Sequence, residues 1–146
     1  MNLDIAVFIA LAAGLAGGLQ AAVAGEFGKR VGVLEATAVS ATLGAILVVV
    51  LALLLGKGLG GILDGFKQPV WLWLAGFIGG FYVITLTFAP PRIGTLATIA
   101  VLIVGQLISG AVMDAMGLFG APVRFDIGRV GGLVLLISGA LLVLRR

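Results

Sequence analysis

The chain has no cysteine and no histidine in its 146 residues. Without cysteine there is no disulfide, no thiolate nucleophile and no cysteine metal site. Without histidine, Ser-His-Asp triads and histidine-bound zinc are excluded too. Charge is scarce: Asp, Glu, Lys and Arg make up 10% of the sequence, against roughly 25% in a soluble domain. The segment Gly56-Lys57-Gly58 lacks the spacing of a phosphate-binding loop, so no ATPase is expected within this chain. Neither a cofactor nor a metal is expected. The basic residues are scattered between apolar blocks, which argues for topology determinants and against a nucleic-acid partner.

What the chain does have is apolar surface: 62% hydrophobic residues, with 24 glycines. A soluble chain of this size buries only about 70% of the surface its unfolded form exposes. That is too little to hide so much apolar area, so the partner must be the lipid bilayer. Five apolar blocks fall within the roughly 17–25 residues that a membrane-crossing helix requires. They cover residues 5–24, 33–55, 70–89, 93–113 and 128–144. Glu26, Lys29 and Arg30 close the first, Gly56-Lys57-Gly58 the second, Pro90-Pro91-Arg92 the third and Asp114 the fourth. A glycine-rich connector with Asp64 and Lys67 follows the second block, and a Gly- and Pro-rich loop over 117–122 follows the fourth. Arg129 is expected to snorkel from the short fifth block. Lipid admits only helices or closed barrels, and runs this long read as helices. The sequence therefore predicts an all-α integral membrane protein, one five-helix domain over residues 1–146. Residues 1–24 are expected to stay as the first span, because Asp4 is the only early charge and the apolar run exceeds a signal-peptide core.

Small residues recur four apart: Gly14/Gly18, Ser40/Gly44, Gly76/Gly80, Gly105/Ser109 and Gly128/Gly132. In lipid such pairs let helix backbones approach closely. Five spans place the termini on opposite sides. One side then carries Lys57, Lys67, Arg124 and Arg129, the other Lys29, Arg30, Arg92, Arg145 and Arg146. That near balance gives the positive-inside rule little to act on. Either the chain inserts both ways, giving an antiparallel, inverted-topology dimer, or early folding or a sister chain sets one orientation. Inverted pairs are an architecture in which transporters build a midplane site.

Polar residues inside the blocks mark the candidate site. Gln20, Ser40, Tyr82, Gln106 and Ser109 lie on small polar stripes and are the expected substrate-binding residues. Lipid cannot satisfy their polar groups, so they face protein, water or cargo. The competing reading is interhelical hydrogen bonding. Glu35 is the candidate for ion coupling. It lies about 140° round the helix from Ser40, and a place in the first turn at headgroup level suits its charge equally. Trp71 reads as an interfacial belt residue; Trp73 can reach a cavity mouth.

Three stretches carry a resemblance. One is Trp71-Leu72-Trp73-Leu74-Ala75-Gly76 with Gly79-Gly80-Phe81-Tyr82-Val83 and Ala89-Pro90-Pro91-Arg92-Ile93-Gly94. The second is Gly105-Gln106-Leu107 with Ser109, Asp114 and Gly117-Leu118-Phe119-Gly120. The third is Gln20 ahead of Phe27-Gly28, with Ser40 and Gly44. Together they resemble the YdcZ-type branch of the drug/metabolite transporter superfamily across nearly the whole chain. Where that pattern has an asparagine four residues after the glutamine, this sequence has Ala24. The resemblance implies a five-helix half-size exporter of the inner membrane, acting as a homodimer or paired with a sister chain. The expected function is a small secondary transporter that exports a small organic metabolite or cation by alternating access. A channel would show rings of charge or a carbonyl filter, and neither is present. A non-transporting auxiliary subunit would need packing stripes but no wet cavity. An enzyme is not expected.

Overall fold

Membrane-length helices follow from the apolar blocks, and their ends follow from charge, glycine and proline. The computed structural model describes residues 3–117 and 126–145. Its elements are α1 (Leu3–Val31), α2 (Val33–Leu55), α3 (Gly58–Phe66), a 3-10 turn (Val70–Trp73), α4 (Leu74–Phe88), the four-residue α5 (Pro90–Ile93), α6 (Thr95–Met116) and α7 (Ile127–Leu144). Five stretches are long and apolar enough to cross a membrane: Asp4–Val31, Val33–Leu55, Val70–Ile93, Thr95–Met116 and Ile127–Leu144. Among the described residues there is no strand. The loop expected after Gly117, and Arg124 with it, lies outside the described residues.

Two stretches differ from the sequence reading. The first span was expected to end at Ala24, but α1 runs on to Val31. Glu26 supports the added turns through Arg30 Nε at 3.0 Å and Lys29 Nζ at 3.6 Å, spacings that stabilise a helix modestly. The two basic residues also suit the negative end of the helix dipole. At 1.5 Å per residue α1 is about 43 Å long, against a hydrocarbon core of ~30 Å, so its charged turn has length to emerge into the headgroups. The second difference is the glycine-rich connector, which is the helix α3. Leu59, Ile62, Leu63 and Phe66 recur at helical spacing, and this apolar stripe outweighs the poor helix propensity of glycine. The ring of Phe66 meets Trp73 edge-on with centroids 5.9 Å apart. Trp73 is thus engaged by α3 at the start of the third span. Lys67 Nζ bonds Asp64 Oδ1 at 2.8 Å just past the helix end.

The chain forms two units, residues 1–18 with 92–146 and residues 19–91. In the second unit the buried side chains are Ala21 and Ala24 of α1, Ala36 and Thr37 of α2, Leu86 and Thr87 of α4, and Pro90 of α5. Nearly all are small, which is how helices pack in lipid, by close approach and van der Waals contact. Gly25 and Gly28 complete the contact. A Cβ at Gly25 would lie 2.9 Å from Pro90 Cβ, and one at Gly28 would lie 2.7 Å from Thr87 Cγ2. No larger residue fits there without moving its neighbours.

In the first unit α6 packs on α7, with Ala97, Thr98 and Ala140 buried. Asp126 caps α7 by accepting from the Arg129 backbone N–H at 2.8 Å, a usual N-cap role for aspartate. Each unit also holds a one-residue link between helices. Gly32 (φ 105, ψ 150) joins α1 to α2, and Gly94 (φ 85, ψ 152) joins α5 to α6. These are backbone conformations that essentially only glycine adopts. The preceding Pro90 and Pro91 end α4, because proline removes a backbone donor and restricts the residue before it.

The small-residue pairs singled out in the sequence behave differently. A Cβ added at Gly14, Gly44, Gly76, Gly80, Gly105 or Gly132 meets nothing within 4 Å. Among the described residues, then, these glycines open surface, and Gly25 and Gly28 close it.

Candidate functional site

Three threonines show how a hydroxyl is handled when it is buried. Thr37 Oγ1 lies 2.7 Å from Val33 O and 3.1 Å from Thr87 Oγ1, and Thr87 Oγ1 donates to Val83 O at 3.1 Å. Thr98 Oγ1 donates to Gly94 O at 2.8 Å. Thr87 and Thr98 are essentially inaccessible, at 0% and 1%. Thr87 and Thr98 donate to the carbonyl four residues back, and Thr37 shares its one proton between Val33 O and Thr87 Oγ1, the second contact joining α2 to α4. No buried side-chain polar atom among the described residues lacks a partner. The Thr37–Thr87 pair in one unit and Thr98 in the other are structural.

The expected site residues are placed otherwise. Gln20 (α1) and Tyr82 (α4) are exposed and Ser40 (α2) is half-buried, all in the unit of residues 19–91. Gln106 and Ser109 (α6) are exposed in the other unit. Ser109 Oγ donates to Gln106 O at 3.0 Å, so its hydroxyl is partly spent on its own helix. Among the described residues, the side chains of Gln20, Ser40, Tyr82 and Gln106 make no hydrogen bond. Glu35 is exposed in the first turn of α2, and its carboxylate folds over Gly32, in the space a side chain there would take. A negative charge in the first turn is favourable to the helix dipole.

One of these residues opens onto a groove. Gln106, Leu107, Gly110, Ala111 and Asp114 of α6 face Arg129, Gly132, Leu133 and Leu136 of α7 around about 380 Å³. Small residues open the groove on both helices, Gly110 and Ala111 on α6 and Gly132 on α7. Its wall is mainly apolar, with Leu107, Leu133 and Leu136 beside glycine and alanine, and Gln106 lines it with Asp114 and Arg129 toward the helix ends. Arg129, expected only to snorkel, is a wall residue here. The signal that could have found it is local: Asp114 ends α6 and Arg129 begins α7, so one connecting loop brings them to the same end of an antiparallel pair. Among the described residues no cluster of carboxylates gathers that could hold a metal.

Helices of this length and polarity, with a polar-dotted groove inside them, define an all-α, multi-pass membrane protein. Residues 5–142 match the family described as "Putative inner membrane exporter, YdcZ", and the chain belongs to that family. It is similar to the inner membrane protein YdcZ of Escherichia coli (strain K12), 38% identical over 76 residues. That match covers 52% of this chain and 51% of the relative, so it spans about half the length of each. No solved structure matches. The chain is a multi-pass protein of the inner membrane.

Proposed function

We propose that the protein is a secondary transporter that exports a small organic metabolite or cation, and that it works as an antiparallel dimer by alternating access. Family membership supports the transport role over an enzymatic one. The observation that carries the reading further is the set of unpartnered polar side chains at Gln20, Ser40, Tyr82 and Gln106, set in apolar membrane-length helices. Lipid cannot satisfy such groups. A second copy, water and cargo can. In this reading Gln20, Ser40, Tyr82, Gln106 and Ser109 line a cavity near the bilayer midplane. The glycines that meet nothing in the protomer become the contact surface for the second copy. Neutral donors and acceptors suit orienting a small polar solute. Glu35 is the titratable candidate for coupling to an ion gradient. Glu35→Gln tests it: loss of the flux response to a pH gradient assigns the coupling to Glu35, and an unchanged response leaves its carboxylate as a helix-end charge.

The deciding experiment is flux in liposomes, with and without a pH gradient, paired with oligomeric state in mild detergent. The reading expects saturable flux from a dimer, and flux lost in Gln106→Ala without loss of folded protein. A protein that transports while monomeric sinks the dimer. A well-folded dimer that moves no solute across a broad panel favours an auxiliary subunit instead.

A further inference from the structure

The groove between α6 and α7 is lined by two opposite charges that form no ion pair with each other. The ion pairs among the described residues join Glu26 to Lys29 and Arg30, and Asp64 to Lys67. Asp114 of α6 and Arg129 of α7 both line the groove, both are exposed, and they form none. Below them the wall is Leu107, Leu133 and Leu136, and Gln106 lies about 12 Å deeper than Asp114 along α6, at eight residues of 1.5 Å each.

This arrangement selects by charge type. A simple cation gains Asp114 but meets the guanidinium of Arg129. A simple anion gains Arg129 but meets the carboxylate of Asp114. A molecule carrying both charges close together satisfies each, and its apolar remainder can follow the leucines inward. The volume of about 380 Å³ falls at the small end of the ~300–1,000 Å³ typical of small-molecule sites, enough for a solute of amino-acid size.

We propose that this groove binds a small zwitterion with an apolar body, of the α-amino-acid class. The ammonium group lies on Asp114, the carboxylate takes the planar donors of Arg129, and the side chain runs toward Gln106. The proposal rests on the transport reading and names the substrate class for it.

The test uses the full chain purified in an uncharged maltoside detergent, with L-leucine as the probe in equilibrium dialysis. Two relatives of leucine carry one charge each: 3-methylbutylamine and 4-methylpentanoate. Leucine should bind saturably, and each single-charge relative should bind at least about tenfold more weakly, the loss expected for one charge-assisted hydrogen bond. Asp114→Asn should weaken leucine and 3-methylbutylamine and strengthen 4-methylpentanoate, because the carboxylate that repels an anion is gone. Arg129→Gln should weaken leucine and 4-methylpentanoate and strengthen 3-methylbutylamine, because the guanidinium that repels a cation is gone. The retained ligand in each case shows that the variant is folded. The proposal is overturned if leucine, methionine and phenylalanine all fail to bind, if a single-charge relative binds as well as leucine, or if both variants bind leucine like the parent. Flux is read separately. Export of another solute with no leucine binding keeps the transport reading and removes this one; leucine binding with no flux of any solute does the reverse.

Discussion

The unit of residues 19–91 treats its polar groups in two opposite ways. Around Gly25, Gly28, Thr37 and Thr87 the helices touch through the smallest side chains, and the two threonine hydroxyls are bonded within and between helices. Around Gln20, Ser40 and Tyr82 the same helices leave polar atoms unbonded and glycines facing open space. One set of helices is therefore closed over one stretch and open over another. In lipid an open polar surface is costly, so its persistence beside a well-satisfied cluster points to a job outside the protomer's own packing. Replacing the two sets of residues should separate stability from activity.

The largest effect is expected at the close contact. Gly28→Leu drives a side chain into Thr87, where even a Cβ would come within 2.7 Å. It should cost about 3 kcal/mol or more, at or above the upper end for overpacking, read as loss of monodisperse protein and a collapse of the melting temperature in detergent. Gly105→Leu, with nothing within 4 Å of the added Cβ, is the contrast. It should leave the protomer folded and weaken the proposed dimer, measured by cross-linking and by light scattering. Equal melting curves for the two variants would erase the distinction between closed and open glycines.

Next in size is the backbone at Gly94. Gly94→Ala forces a residue with a Cβ to φ 85, ψ 152, at a cost of about 1–3 kcal/mol. The same change at Gly76 should cost under about 0.5 kcal/mol, as for a surface site away from special features. Thermal unfolding of both in one detergent sharpens the comparison.

Smaller in stability but larger in activity is Gln106→Ala. On the proposed reading of Gln106 as a cargo contact, flux per folded protein should fall about tenfold, the cost of losing one hydrogen bond that no other group replaces, while the melting temperature moves little. A drop in dimer stability with normal flux per dimer would make Gln106 packing glue. The smallest effect concerns orientation. With positive charge almost evenly divided, C-terminal tags should report both sides of the membrane. A single location that survives moving one or two charges across would end dual insertion.

Much of this was legible in the residues because the bilayer imposes local rules. A span needs about 20 apolar residues wherever it falls, so the five spans, their number and the proline and glycine breaks between them could be read directly. The helical fate of the 57–66 stretch was harder, since its four glycines Gly58, Gly60, Gly61 and Gly65 argue for a connector while the stripe of Leu59, Ile62, Leu63 and Phe66 argues for a helix. The run of α1 past Ala24 was hidden by Glu26, Lys29 and Arg30, which look like a terminus to a hydropathy scan yet hold each other in a helical turn.

Composition by itself determined that this chain lives in lipid, is all helix, and carries no histidine or cysteine chemistry. Only the tertiary structure decided which small residues close a contact and which leave a space. Gly25 and Gly28 look no different in sequence from Gly76 and Gly80, and Thr87 no different from Thr85, yet the first of each is buried between helices. The reason is rotational. Each residue turns the helix by about 100°, so the partner a side chain meets depends on how its helix is rotated against its neighbours. In a helix apolar all round, no stripe of charge records that rotation.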